Sequence, residues 1–338
     1  MTEAGLHCPA SGFHIDPWQG VDRALITHAH ADHARAGSRA YLAADRGLPL
    51  LRARLPADAT IDTLRYGERR RVGDVDVSFH PAGHVLGSAQ IRIGHRGRVI
   101  VVSGDYKLAP DPSCDPFEPV RCDTLVTEST FGLPVYRWQP PQDVMRALRD
   151  WWSANRDEGT ASVVFAYALG KAQRIAAGLA ALGALPGPIA CHGAVARINE
   201  AYRDAGVALP PMARVADSGR DAEWRGALVL APPSAQGSAW LARFAPFRTA
   251  AASGWMAIRG TRRRANLDRG FVLSDHADWP ALNAAVDASG AANVVVTHGY
   301  RDEFVRWLAE TRPGLAASAL ATRFEGEHGA AGERADPP

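Results

Sequence analysis

Residues 27–33 read Thr-His-Ala-His-Ala-Asp-His, which gathers His28, His30, Asp32 and His33 into one short stretch. Imidazole and carboxylate are the donors a borderline divalent metal takes, so the pattern points to metal-assisted chemistry. The stretch follows the apolar run 24–27. Past a strand end a spacing of two returns His28 and His30 to one side, whereas a helix would point them apart. Asp32 and His33 can then face a second position. Further ligand types sit at the ends of other apolar runs: His84 in Gly-His-Val-Leu-Gly, Asp105 in Ser-Gly-Asp after 99–102, and His298 in Thr-His-Gly after 294–296. Loops at strand ends are where a rigid sheet presents reactive groups, and these placements together favour a metal centre.

Such ends need strands behind them. The first third supplies short β-type runs at 24–27, 75–79, 89–93, 99–102 and 124–127, separated by Gly, Pro and Asp turns. After about Tyr136 the texture changes: 142–156 has helical spacing, 161–166 is an apolar strand-like run, and 171–182 is an Ala-rich helix. Two more apolar runs, 227–231 and 249–255, complete what reads as an α/β segment with a parallel sheet. Strand texture returns at 270–273 and 293–296, with helices at 281–288 and 302–311. The end from 326 onward, charged and rich in Gly and Ala, reads as a frayed, disordered tail.

A chain of 338 residues exceeds one ordinary domain, so one large domain with an insertion, or two domains, is expected. Lys plus Arg number 38 against 36 Asp plus Glu, a net charge of +2, so any polyanion must be met by a local patch. The N-terminal stretch lacks a basic and apolar leader pattern, and no run approaches the roughly 18 apolar residues of a spanning helix; the expectation is a soluble, cytoplasmic protein with no membrane partner. The 4 cysteines form no C-x-x-C pair, which leaves no zinc-finger or thioredoxin-type motif.

The series H-x-H-x-D-H, G-H, S-G-D and a late T-H-G resembles the metallo-β-lactamase fold, an αβ/βα sandwich with two metals at one edge. Thr127-Glu128-Ser129-Thr130-Phe131, Ala168-Leu169-Gly170-Lys171-Ala172-Gln173 and Ser274-Asp275-His276-Ala277-Asp278 are similar to the markers of the β-CASP nucleases. Gly5-Leu6-His7-Cys8-Pro9, Ile15-Asp16-Pro17-Trp18, Ser253-Gly254-Trp255-Met256 and Arg262-Arg263-Arg264 extend the resemblance toward bacterial ligase-associated DNA exonucleases. The implied architecture is an α/β protein: a metallo-β-lactamase core from 1–136 and 267–325, and an inserted β-CASP α/β cap from 137–266. The resemblance further implies that His28, His30 and His84 hold one divalent ion, Asp32, His33 and His298 a second, and that Asp105 bridges them. Either zinc or manganese suits such a set. Glu128 and His276 match positions beside the metals, and with Asp32 they are the candidate catalytic residues.

The implied activity is two-metal hydrolysis of phosphodiester bonds in DNA, exonucleolytic, with 5′ to 3′ polarity as the working direction and a role in repair. In it, His276, oriented by Glu128, protonates the departing oxygen. DNA is preferred over RNA as the partner, with a functional link to an ATP-dependent DNA ligase and a helicase. The contrary feature is His298, which Artemis-type DNA nucleases generally lack and RNA-processing members keep; a β-CASP ribonuclease or RNA 3′-end endonuclease is therefore the alternative. A small-molecule metallo-hydrolase explains neither Glu128 nor His276, and a scaffold without metals would have lost some ligands. For substrate contact the candidates are Lys171 at a loop entering a helix, Arg262, Arg263 and Arg264 as a phosphate-binding run, and Trp255 for base stacking. Arg69-Arg70-Arg71 is a weaker second run.

Overall fold

The computed structural model describes residues 1–219, 223–258, 260 and 266–322. Arg262, Arg263 and Arg264, and the tail from 326, lie outside the described residues. The chain forms two compact units with a mixed α/β architecture. One comprises Met1–Pro110, Cys114–Arg137 and the described residues from His276 onward; the other comprises Asp111–Ser113 and Trp138–Asp275.

In the first unit a five-stranded sheet runs Leu6–Cys8, Phe13–Ile15, Arg23–Leu25, Ala40–Ala44, Ile61–Leu64, antiparallel at its first pair and parallel thereafter. A seven-stranded sheet has the order Ala316–Ala319, Asn293–Gly299, Thr124–Ser129, Arg98–Val102, Ala89–His95, Val75–Pro81, Arg70–Val72. The side-chain period of two explains how that sheet is covered on both faces. Val102 and Val126 join Phe13, Leu25 and Leu42 of the five-stranded sheet in one apolar cluster. Val101, Leu125, Val294 and Val296, on the opposite face, pack with Leu282 and Val286 of the helix Trp279–Ser289 and with Phe304 and Leu308 of the helix Arg301–Thr311. The Trp279–Ser289 helix starts where the Asp278 carboxylate accepts from the Ala281 amide at 3.0 Å and ends at Gly290, a left-handed cap with φ 62°.

The second unit is built on six parallel strands, ordered Met212–Arg214, Ile189–Cys191, Leu228–Ala231, Ala161–Phe165, Phe247–Ala252, Arg269–Phe271. Its central runs are continuously apolar because both faces are covered. Val164, Leu228 and Leu230 pack with Leu148, Trp152, Ile175 and Leu179 of the helices Pro141–Asp157 and Lys171–Ala181. Val163, Phe165 and Val229 pack with Leu241 and Phe244.

Residues 267–275, given above to the first unit, belong by contact to the second. Arg269–Phe271 pairs in register with Ala250–Ala252, and the chain rejoins the first unit at His276. A three-residue edge strand carries no pattern that says which sheet it joins. The apolar run 249–255 also stops short as a strand: Ser253 accepts from the Trp255 amide at 3.3 Å and opens a turn of 3-10 helix over Gly254–Ala257. Among the described residues no helix is long and apolar enough to cross a membrane.

Candidate metal centre

The seven-stranded sheet delivers its ligand types to one edge. Thr124–Ser129 is parallel to both Arg98–Val102 and Asn293–Gly299, so Asp105, Glu128 and His298 emerge together. Val75–Pro81 is two antiparallel steps from Arg98–Val102 and so runs the same way, which brings His84 to that edge as well. The His28–His33 stretch is tied there by the Ala89 amide donating to the Thr27 carbonyl at 2.8 Å. Close approach depends on glycine twice. A Cβ on Gly104 (φ +57°) would lie 2.7 Å from the Thr27 Cβ, and one on Gly299 (φ +82°) would lie 2.2 Å from the Ser129 carbonyl oxygen. Ser129 Oγ then donates to the His298 carbonyl at 2.7 Å and fixes the loop.

His28 Nε2 lies 3.0 Å from His30 Nδ1, and His84 Nε2 lies 3.1 Å from the same atom. Asp105 Oδ2 is 3.6 Å from His28 Nε2 and 3.8 Å from His84 Nε2. One donor atom from each of these four residues falls within 4.8 Å of all the others. Tetrahedral bonds of about 2.0–2.1 Å put donors roughly 3.3 Å apart, so the set fits a divalent ion. The same carboxylate faces a second group. Asp105 Oδ2 is 3.4 Å from His33 Nε2 and its Oδ1 is 3.0 Å from His298 Nε2, while Asp32 Oδ2 is 3.7 Å from His33 Nε2 at the half-exposed rim.

Burial and neighbouring charge pull in different directions across the cluster. Burial, then the charges of His33, His30 and His84, holds His28 well below the ordinary imidazole range, leaving it neutral as a ligand must be. Burial also acts to lower His33, but Asp105, Asp32 and Asp16 outweigh it and hold that ring well above its usual value. For Asp105 burial pushes upward, and His33, His276 and His298 overcome it, keeping the carboxylate well below the usual range. Beside this cluster, His276 Nδ1 meets both oxygens of Glu128, at 2.9 and 3.0 Å, and Glu128 Oε1 also accepts from the Tyr106 amide at 2.8 Å. Glu128 is thus bonded directly to His276, whose ring centroid is 4.7 Å from that of His84.

One residue of the site was quoted above only as part of a marker. Asp16 Oδ2 is 2.7 Å from His33 Nδ1 and accepts from the Thr27 hydroxyl at 2.6 Å, while its Oδ1 accepts from the Thr27 amide at 2.8 Å. A carboxylate on the far nitrogen of a metal-binding imidazole fixes the ring and raises its basicity. Asp16→Asn is expected to weaken metal affinity by about 10–100-fold, measured by competition with a chelator.

Of the substrate candidates, Lys171 and Trp255 belong to the second unit. Lys171 is 1 % exposed; its ammonium lies 3.7 Å from Asp275 Oδ2 and 4.5 Å from the centre of the Tyr167 ring. Its charge is answered inside the second unit. Trp255 is half-buried in the same unit. Of the weaker basic run, Arg70 meets Asp62 at 3.1 Å and Arg71 lies 3.6 Å from Asp76.

No family profile matches the chain. A protein of Opitutus terrae named "Probable DNA ligase" is 32% identical over 336 residues, which is 99% of this chain and 32% of that protein. A ribonuclease of Thermus thermophilus is 30% identical over 204 residues, 51% of this chain and 45% of its own length. An endoribonuclease of Aspergillus fumigatus is 27% identical over 220 residues, covering 52% of this chain and 25% of its own length. The chain therefore spans less than half of each of these relatives. Among solved structures, a protein of unknown function from Enterococcus faecalis shares the fold, with a TM-score of 0.59 at 13% identity over 90% of this chain and 80% of that one.

Proposed function

We propose, because this chain belongs to the β-CASP family of metallo-β-lactamase-fold nucleases, that it is a metal-dependent exonuclease hydrolysing phosphodiester bonds in DNA. The observation that carries the reading is the Asp105 carboxylate, whose Oδ2 faces His28, His84 and His33 and whose Oδ1 meets His298. One carboxylate between two donor sets is what a two-ion site needs. His28, His30, His84 and Asp105 would hold one ion, and Asp32, His33, His298 and Asp105 the other. The three imidazoles of the first set favour zinc, and the mixed second set also accepts manganese. Bound there, two divalent ions supply hydroxide at neutral pH and neutralise charge on the phosphate.

The chain's own residues do the rest. Glu128 accepts from His276 Nδ1 and so fixes the ring; Nε2 is then the atom that hands a proton to the departing ester oxygen. Burial of His276 and Glu128 strengthens that hydrogen bond. In this reading the first unit is the metallo-β-lactamase sandwich and the second is the inserted β-CASP cap.

DNA is the favoured polymer because similarity to the protein named as a DNA ligase runs through 99% of this chain. A functional link to ligation follows from the same observation. The ribonuclease reading is supported by the relatives from Thermus thermophilus and Aspergillus fumigatus, each over about half of the chain. Matched single-stranded DNA and RNA oligonucleotides, labelled at either end and incubated with zinc or manganese, separate the two. Stepwise loss of DNA from the 5′ end is expected, with His276→Ala reducing turnover by roughly 10²–10⁴-fold. Preferential cutting of RNA would replace this reading with the ribonuclease one.

A further inference from the structure

Beside the second donor set, wholly within the first unit, a cavity of about 90 Å³ opens among Asp32, His33 and His298. Its other walls include Leu6, Ile15, Trp18, Val102, Val126 and Leu320. One water occupies about 10–15 Å³ on this measure, so the cavity has room for several waters or for one flat heterocycle. Trp18 is tied to the N-terminal stretch at this place. Its amide donates to the Ala4 carbonyl at 2.9 Å, and Gly5, at φ +115°, lies beside the indole, where a Cβ would be in van der Waals contact with the ring at 3.5 Å. The indole is nevertheless only partly buried. A partly open indole on an apolar slot, with reactive groups at one end, is how proteins bind a ring attached to a charged group.

The geometry points to a nucleobase subsite: Trp18 stacks on the base of the nucleotide whose phosphate lies at the metal centre. This rests on the nuclease reading above, and it makes Trp18 rather than Trp255 the base-stacking residue. Stacking on an aromatic side chain tolerates any base, so the slot fits a nuclease that works along a strand without regard to sequence.

The test compares two ligands that share sugar and phosphate, 2′-deoxyadenosine 5′-monophosphate and 2-deoxyribose 5-phosphate. Their dissociation constants are measured by calorimetry on the full chain reconstituted with manganese. The expected result is that the nucleotide binds roughly tenfold more tightly, that Trp18→Ala binds both like the base-free ligand, and that Trp18→Phe keeps most of the difference. Equal affinities in the unchanged protein, no binding of either ligand, or a difference that survives Trp18→Ala would overturn the subsite. Should Trp18→Ala fail to fold, Trp18→Leu serves, since it keeps apolar contact and removes the aromatic face. Oligonucleotide cleavage by the same preparation keeps the two readings apart. Cleavage without a base effect removes the subsite alone, and a base effect without cleavage removes the nuclease reading alone.

Discussion

Asp105→Ala is expected to lose both metal ions and at least about a thousandfold of cleavage activity, while the protein stays folded. The carboxylate lies within 4 Å of four imidazoles, with His298 on one oxygen and His28, His33 and His84 on the other. The neighbouring carboxylates are placed for other contacts: Asp32 is 3.7 Å from His33 at the rim, Asp16 lies on the far nitrogen of that ring, and Glu128 is engaged by His276 and the Tyr106 amide. The fold does not depend on it in the same way. The strand that leads to it, Arg98–Val102, is paired on both sides and packed on both faces by Val101 and Val102. The loss is therefore one of ligation and of the catalysis that ligation permits, for which several kcal/mol of transition-state stabilisation is the ordinary size. Metal content by elemental analysis, with the thermal midpoint as the folding control, checks it. Full metal content in the variant would remove the bridging role, and Asp105→Asn, close in shape, separates lost charge from lost volume.

The residues that converge on Asp105 were legible because their signal is local. A spacing of two beyond a strand end, or a ligand type after an apolar run, survives in the sequence whatever the sheet does later. Asp16 carries no such signal: it is 17 residues from His33, and only the pairing of Phe13–Ile15 with Arg23–Leu25 brings the two together. The surroundings of Lys171 carry no local signal either. A lysine at a loop entering a helix looks like an anion contact, and nothing local reveals that an aspartate 104 positions later meets it in the interior. The same ambiguity hid the return point of the chain. Residues 270–273 are apolar in either unit, and only the register with Ala250–Ala252 assigns Arg269–Phe271 to the second sheet.

The interior of that second unit yields the other large effect. Arg174→Ala is expected to destabilise it by about 3–5 kcal/mol, the ordinary cost of breaking a buried ion pair from one side. Arg174 Nε lies 3.2 Å from Asp111 Oδ2, and its Nη1 donates to Asp275 Oδ1 at 2.9 Å and to the Ser274 carbonyl. All three charged side chains are at most 5% exposed. Arg174 meets both carboxylates and Lys171 meets Asp275, so the buried negative charges are answered in part by one guanidinium. Alanine removes the guanidinium from both carboxylates; Asp111 keeps the Ser113 amide and hydroxyl at 2.8 and 2.6 Å, and Asp275 keeps Lys171 at 3.7 Å. For a unit of this size 1 kcal/mol moves the midpoint by about 2–4 °C, so thermal unfolding should show a drop of roughly 10 °C. Arg174→Lys should recover part of this, because it restores charge without the planar fork that serves both carboxylates at once. Adding Asp111→Asn to Arg174→Ala should recover part of the loss, since it removes the buried charge that the guanidinium had answered. A midpoint unchanged in Arg174→Ala would mean that the guanidinium contributes packing alone, and the asparagine substitution would then bring no recovery.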